Sequence, residues 1–574
     1  MNNSYMKRVY ALLCVLGLTV ASLNVSAQNR YIDEVFGDSD IEVTSDVTYA
    51  TNIDFLRSTR LSGASQAKIG SELVAIKTAL ATGRSIPATH YNLADTTSVI
   101  KVQDVKMDVY APKMSVDTVT ERPVIIYLHT GNFLPSPLNG SPVGTKVDSS
   151  AIVLCQGWAK RGYVAISADY RLGWNPLASG PTGEFERRGT LLNAVYRSIQ
   201  DIKQCVMGLR LDAGGSNTYG IDADKIVLYG EGTGGYIALA YNTLDKYEEM
   251  NLTRFQNPLT QKSFIDTAVV GRIDGSGHPA ALTLYGPPRA SMDISAAVAA
   301  GGALADTSWL EAGDAPIIAL QAIRDPFAPF GEGTVIVPTT QEDVVDVQGS
   351  NVYMVKANAL GLNDAFKDMG DDPYTKMARS RYGKEYDYIY PAPRDKITVS
   401  TKLEGLFPID LAAGASVFQN QAGPWQWWDP NSPNAKFEVQ PGVTAHMASL
   451  QSNPDMSPEK GRTWVDTIQG YVCPRLAVTM GYYTTAELSA QSISSLGGKV
   501  YPNPVSDVVN VEMPSNVVVN RYSVLDLQGR EVAASNGLNG NTIRINVSDL
   551  AKGNYILKLD TDTGVSTQKI MVMH

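Results

Sequence analysis

An apolar strand, Lys225–Tyr229, runs without a break through Gly230-Glu231-Gly232-Thr233-Gly234-Gly235 into a segment that reads as a helix, Gly235–Leu244. A chain concentrates glycine at a strand-to-helix junction where side chains would collide or where the backbone turns through a conformation that Cβ disfavours. Two kinds of site need such a turn. One cradles the phosphates of a dinucleotide with G-x-G-x-x-G, here Gly230, Gly232 and Gly235. The other is a nucleophile elbow, a strained turn that lifts one reactive side chain into a pocket and requires small residues two before and two after it. Gly230 and Gly234 fill those flanking places, and the reactive position falls on Gly232.

Context separates the two. A dinucleotide turn follows the first strand of its unit and has an acidic residue about 20 positions on, at the end of the next strand. Several strands precede this turn, and the acidic residues at that distance, Glu248 and Glu249, sit in a polar stretch with no apolar run before them. The phosphate reading fails, and no cofactor is expected.

The rest of the chain sets the frame. At 574 residues it exceeds one ordinary domain. A net charge of −10, with no Lys/Arg cluster, excludes nucleic acid as a partner. Lys7 and Arg8, the apolar run Val9–Ala21 and Val25-Ser26-Ala27 before Gln28 read as a secretory leader over residues 1–27. Leu13 stands before Cys14 where a lipoprotein site wants a small residue. The apolar run is too short to span a bilayer, and no membrane span is expected later in the chain. Cys155, Cys205 and Cys473 are odd in number and lack C-x-x-C spacing, so buried thiols are expected, with neither a disulfide framework nor a metal site.

From residue 41 onward, strands and helices alternate. Strands are read at Ile41–Tyr49, Val105–Tyr110, Pro123–Leu128, Tyr163–Asp169, Lys225–Tyr229, Ala280–Tyr285 and Pro316–Leu320, with Asn351–Leu360 as the last. Helices are read at Ser149–Lys160, along Leu191, Val195, Ile199, Ile202, Val206 and Leu209, and as a closing element at Arg462–Val478. This pattern predicts an α/β fold with a mostly parallel sheet covered on both faces. The Pro- and Tyr-rich stretch at about 361–458 reads as a large insertion before the closing helix. Beyond a Ser/Gly-rich linker, 489–499, short alternating segments separated by Gly/Asn turns predict a small antiparallel β-sandwich over 500–574. The domain reading is therefore a leader at 1–27, an α/β domain at 28–488, the linker and the sandwich.

The motif blocks go further. "YPNP", "YSVLDLQGREV", "INVSDLAKGNYILKL" and the final "KIMVMH" resemble the C-terminal sorting domain of type IX secretion cargo in Bacteroidetes. That resemblance implies an export address engaging the type IX secretion machinery through residues 500–574, and a secreted or surface-anchored product. "IIYLHTGNF", "ADYRLGW" and "YGIDADKIVLYGEGTGG" together resemble the α/β-hydrolase fold, closest to carboxylesterase- and lipase-type members. The likeness covers about Thr44–Val478 and is closely patterned over Pro123–Ala240.

Carried over residue by residue, this second resemblance puts Gly232 at the nucleophile and the backbones of Gly131, Asn132 and Thr233 at the oxyanion donors. It implies Asp325, in "QAIRDPFAP", as the triad acid. The base falls to His446, in "VTAHMASL", the one histidine between the last strand and the closing helix, although it lies far beyond Asp325. Glu231, beside the elbow, is expected to point away from the pocket. Each position has a plainer reading: Asp325 as a turn or cap carboxylate, His446 as an exposed loop histidine, His129 as scaffold. Trp425, Trp427 and Trp428 read as a ligand platform or as local core.

Serine catalysis needs an oxygen that attacks the carbonyl and a histidine that takes its proton. Glycine supplies no oxygen. Sliding the elbow to Thr233 would place Glu231 where a small residue is required. Two functions of different class follow. One is a secreted esterase-like protein that binds a small ester-like molecule or a surface ligand without cleaving it. The other is an active ester hydrolase with a non-standard nucleophile or an activated water.

Overall fold

A computed structural model of the chain describes residues 30–573, apart from 338–339, 391, 402, 486–487, 489–490, 494–495, 527–529 and 563. The leader expected at 1–27, with Cys14 and Gln28, and the terminal His574 lie outside the described residues. Two compact units are formed. One runs up to Asp364 and takes in Tyr374–Met480; the other holds Ala365–Pro373 and the chain from Gly481 on.

The larger unit is built on one eight-stranded sheet: β1 (Ile41–Ile53), β2 (Val102–Pro112), β3 (Arg122–Leu128), β4 (Val164–Ala168), β5 (Ile221–Glu231), β6 (Ala296–Ala300), β7 (Ile317–Ala322) and β8 (Leu406–Ile409). The spatial order is β1-β2-β4-β3-β5-β6-β7-β8. β1 pairs antiparallel with β2, and β2 antiparallel with β4. Every pair from β4 to β8 is parallel. β3 and β4 are buried along their whole length, as strands covered on both faces must be. Its main helices are α1 (Gln66–Ala81), α2 (Ser149–Lys160), α3 (Gly183–Ala213), α4 (Thr233–Thr243), α5 (Ser350–Ala359) and α6 (Pro458–Thr479). α3 packs on α4, and α6 on α2. Gln469 of α6 donates to the Leu154 carbonyl of α2 at 2.9 Å. Within the core the Tyr127 and Tyr229 rings stack at 5.9 Å and Trp158 meets Tyr229 edge-on at 4.9 Å.

Three sequence expectations are corrected. Ala280–Tyr285 is not a strand; it is an irregular segment held by single bonds, such as Leu282 N–H to the Val269 carbonyl. The strand in its place is β6, a run of Ala-Ala-Val-Ala-Ala that is buried throughout. Asn351–Leu360 is helix α5, with Ser350, Tyr353, Met354 and Ala357 buried, the 3-1-3 spacing of a helical face. The last strand is β8, which lies inside the stretch read as insertion, together with a hairpin of Glu385–Tyr390 and Ala392–Thr398.

The smaller unit forms two sheets from β9 (Gln491–Ser492), β10 (Lys499–Tyr501), β11 (Val508–Glu512), β12 (Val519–Leu525), β13 (Glu531–Gly540), β14 (Thr542–Asn546), β15 (Gly553–Thr561) and β16 (Gly564–Val572). Their orders are β10-β11-β14 and β9-β16-β15-β12-β13. The pairing is antiparallel apart from β9 with β16. Alternate residues, among them Val509, Val511, Ile543, Ile545, Leu557 and Leu559, fill the core between them. Gly537 lies within β13 at φ 72, where the register slips between Val519 and Arg521.

Cys155, Cys205 and Cys473 are buried free thiols. No helix among the described residues is long and apolar enough to cross a membrane.

Candidate functional site

The turn after β5 has the strained geometry that its glycines suggest. Gly232 sits at φ 55, ψ −114 as the residue before α4, and its N–H bonds the Ala300 carbonyl at the end of β6 at 2.8 Å. A Cβ on Gly230 would fall inside the carbonyl oxygen of Gly234, and one on Gly234 inside the carbonyl oxygen of Leu128 at the end of β3. Gly235 passes Gly302 so closely that its Cβ would stand 3.1 Å from that residue's Cα. Crossing backbones therefore account for three of the glycines. At Gly232 the neighbour is a side chain: an added Cβ would overlap Thr130 Oγ1 and lie 3.1 Å from Thr130 Cβ.

The loop after β3 is strained as well. Gly131, Asn132 and Phe133 have φ of 122, 56 and 54, a run of left-handed residues that costs free energy and needs support. Support comes from Trp174, whose indole N–H bonds the Asn132 carbonyl at 2.7 Å, and from Gly173 N–H on the Phe133 carbonyl at 2.8 Å. Beneath the loop, the buried His129 ring stacks on Tyr170 at 4.4 Å, and Tyr170 Oη donates to the His129 carbonyl at 2.7 Å. Burial pushes His129 down to about 4, so near neutral pH it is uncharged and its Nδ1 donates to the Thr130 carbonyl at 2.5 Å. The backbone N–H groups of Gly131, Asn132 and Thr233 donate to no protein acceptor among the described residues, and all three residues line one cavity. Unpaired N–H groups beside an anion-favouring helix start form a receptor for a carbonyl or oxyanion.

Asp325 follows β7 and also lines this cavity, 1% exposed. Its Oδ1 accepts the N–H groups of Phe327 at 2.8 Å and Ala328 at 3.0 Å, while no protein donor reaches Oδ2 among the described residues. Burial raises its carboxyl to about 7, and the two backbone bonds pull the other way. His446 lies on a short helix, Ala445–Ser449, and is absent from the cavity wall. Its Nδ1 accepts the Trp428 indole N–H at 3.0 Å, which leaves the ring proton on Nε2. No hydrogen bond joins His446 to Asp325 among the described residues. A triad base donates Nδ1–H to its acid; here that nitrogen is an acceptor.

Glu231, expected to point away from the pocket, is on its wall, yet both oxygens are occupied. Oε2 accepts from Tyr127 Oη at 2.6 Å and Ser150 Oγ at 3.5 Å, and Oε1 from Gln426 Nε2 at 2.5 Å. Burial raises its pKa. Trp425 and Trp428 are buried and line the cavity. Trp427 is buried under the Arg462 guanidinium.

The cavity measures about 980 Å³. Its wall is mainly apolar, with Leu191, Val195 and Ile199 from α3 together with Phe133, Trp174, Val345 and Val347. Glu231 and Asp325 are its charged residues; among the described residues no Lys, Arg or His lines it. Two contributors carry no expectation from the sequence. Tyr236, in the first turn of α4, shares the cavity wall with Gly232, and its buried hydroxyl has no partner among the described residues. Gln426 carries no signal of its own. Among the described residues no group of His, Cys, Asp and Glu is placed to hold a metal.

Residues 499–573 match the family model of a secretion system C-terminal sorting domain. No curated protein sequence matches the chain. Solved structures that resemble it include esterase 2 of Thermogutta terrifontis phosphoramylated by tabun, at 18% identity and TM-score 0.24, over 40% of this chain and 70% of that one. The butyrate-bound form of the same esterase aligns at 18% identity and TM-score 0.24 over 43% and 77%. The fold itself rests on the sheet, its covering helices and the strained turn after β5. The chain thus joins an α/β-hydrolase-like unit to a type IX secretion C-terminal sorting domain, an exported protein of the cell surface or the surrounding medium.

Proposed function

We propose that this exported protein uses an esterase-type cavity to hold an ester-like or other apolar small molecule without cleaving it. The observation that carries the reading is Gly232, a residue without a side chain at the tip of a nucleophile elbow. Losing the nucleophile of such a site costs about 10⁶ in turnover. His446, tied through Nδ1 to Trp428, supports the same reading, because among the described residues no histidine lines the wall to activate a substitute oxygen. Thr233 does not replace the serine: its hydroxyl pairs with Tyr170 Oη at 3.3 Å rather than with a base. In this reading residues 1–27 are a leader and 28–488 the binding domain, with the excursion at 361–458 walling the cavity. Residues 489–499 are a linker and 500–574 the export address.

Nitrophenyl acetate and butyrate turnover by the purified protein and by Gly232→Ser tests the proposal. Neither is expected to exceed the buffer rate. Turnover by the unaltered protein that Asp325→Ala abolishes would establish the alternative, a hydrolase with another nucleophile. Turnover gained by Gly232→Ser would mean that His446 and Asp325 stand in working triad positions.

A further inference from the structure

We propose that Asp325, together with Tyr236, anchors the ammonium group of a long-chain cationic amphiphile inside the cavity; this rests on the reading of the cavity as a non-hydrolytic binding site. In an active hydrolase the acid at this place would serve a histidine. Among the described residues no histidine bonds Asp325, and its geometry leaves one oxygen for something else. The carboxyl group is almost wholly buried, Oδ1 is satisfied by two backbone N–H groups, and Oδ2 has no protein donor among the described residues while its residue lines the cavity. A carboxylate oxygen that faces a mainly apolar cavity without a protein partner is unfavourable, and a cationic donor relieves it most.

Tyr236 supplies the second, independent observation. Its hydroxyl oxygen is buried, has no hydrogen-bond partner among the described residues, and belongs to a residue on the same wall. Asp325 lies close enough for its charge to be felt at that phenol. A phenol oxygen accepts one ammonium N–H while the carboxylate accepts another, so the pair suits a group with several donors and no acceptor.

The remainder of the wall selects the sign of the charge. With no Lys, Arg or His among the described lining residues, an anionic headgroup would meet Asp325 and Glu231 with only the backbone N–H groups of Gly131, Asn132 and Thr233, and no cationic side chain, to balance it. The apolar side chains of α3 and the strands that face it suit an alkyl body, and each methylene removed from that body should weaken binding about four-fold.

The test is calorimetric titration of the purified protein with decylammonium, decanol and decanoate, each below its micelle-forming concentration. Decylammonium should bind at least ten-fold more tightly than decanol, with decanoate weakest. Asp325→Asn should bring ammonium and alcohol within about two-fold of each other. Tyr236→Phe should reduce the same preference by a smaller factor. Equal binding of the three probes by the unaltered protein would overturn the anchor and leave the binding reading standing. So would tightest binding of decanoate, or a preference that survives in Asp325→Asn. Failure of all three to bind would overturn the anchor too, whereas nitrophenyl-ester turnover by the same sample would instead overturn the non-hydrolytic reading. The comparison of headgroups in the unaltered protein needs no variant to fold.

Discussion

Gly232→Ala measures what the turn after β5 costs an ordinary residue. Two terms contribute. An L-residue at φ 55, ψ −114 stores strain of about 1–3 kcal/mol. The new Cβ also overlaps Thr130 Oγ1, and turning Thr130 away from it costs about 1 kcal/mol. Replacing glycine restricts the unfolded chain and returns about 0.4–1 kcal/mol. The net expectation is a loss of about 2–3 kcal/mol, read as a fall in the unfolding midpoint of the larger unit at about 1–2 °C per kcal/mol. A double-mutant cycle separates the terms. Thr130→Ala removes Oγ1, so Gly232→Ala in that background should cost about 1 kcal/mol less, above the few tenths expected of independent sites. A Gly232→Ala variant as stable as the parent, or one whose cost is the same with and without Thr130 Oγ1, would refute the geometry assigned to the elbow.

The flanking glycines should behave differently, because backbone rather than a side chain blocks them. Gly230→Ala and Gly234→Ala should lower the midpoint far more than Gly232→Ala or prevent folding, while Gly63→Ala, with no atom within reach of its Cβ, should be neutral. Asp325 gives a pH signature. Its folded-state pKa of about 7 lies above the unfolded value of 3.8, so its contribution is fully present below about pH 4 and is lost as pH rises toward 7. That loss is on the order of a few kcal/mol, and the fall in midpoint between pH 4 and pH 7 should be visibly smaller in Asp325→Asn than in the parent. Removing residues 499–573 should leave the protein undelivered to the cell surface and medium, scored by immunoblot of the fractions.

How much of the fold is legible in the sequence depends on how strongly each segment shows its period. β3 and β4 are legible nearly to their ends because a long apolar run between turn residues suits a strand buried on both faces and little else, and α2 is legible to the residue. β5 is read only over Lys225–Tyr229, because the polar, partly exposed residues at its start carry no apolar run. β6 escapes because five small residues look like helix, and their smallness is a tertiary requirement: Gly302, just past this strand, packs against Gly235 of α4. β8 escapes because it is four residues long and contains Pro408, which an edge strand tolerates. α5 resembles a strand through the β-forming residues Val352 and Tyr353, although its buried positions follow the helical period. In the site, the elbow and the loop after β3 are visible as glycine patterns that backbone crossings demand. The bond between Trp428 and His446 and the unpartnered hydroxyl of Tyr236 depend on how distant segments meet, and no local pattern encodes that.

The central claim is that the cavity keeps the shape of an esterase site without its nucleophile. Intact-mass analysis of the purified protein after treatment with a fluorophosphonate probe tests it most directly, since such probes add covalently to an activated hydroxyl. The mass should remain that of the unmodified chain over hours at neutral pH. A stoichiometric adduct mapped to Thr233, Thr130 or any other residue of the cavity wall would contradict it.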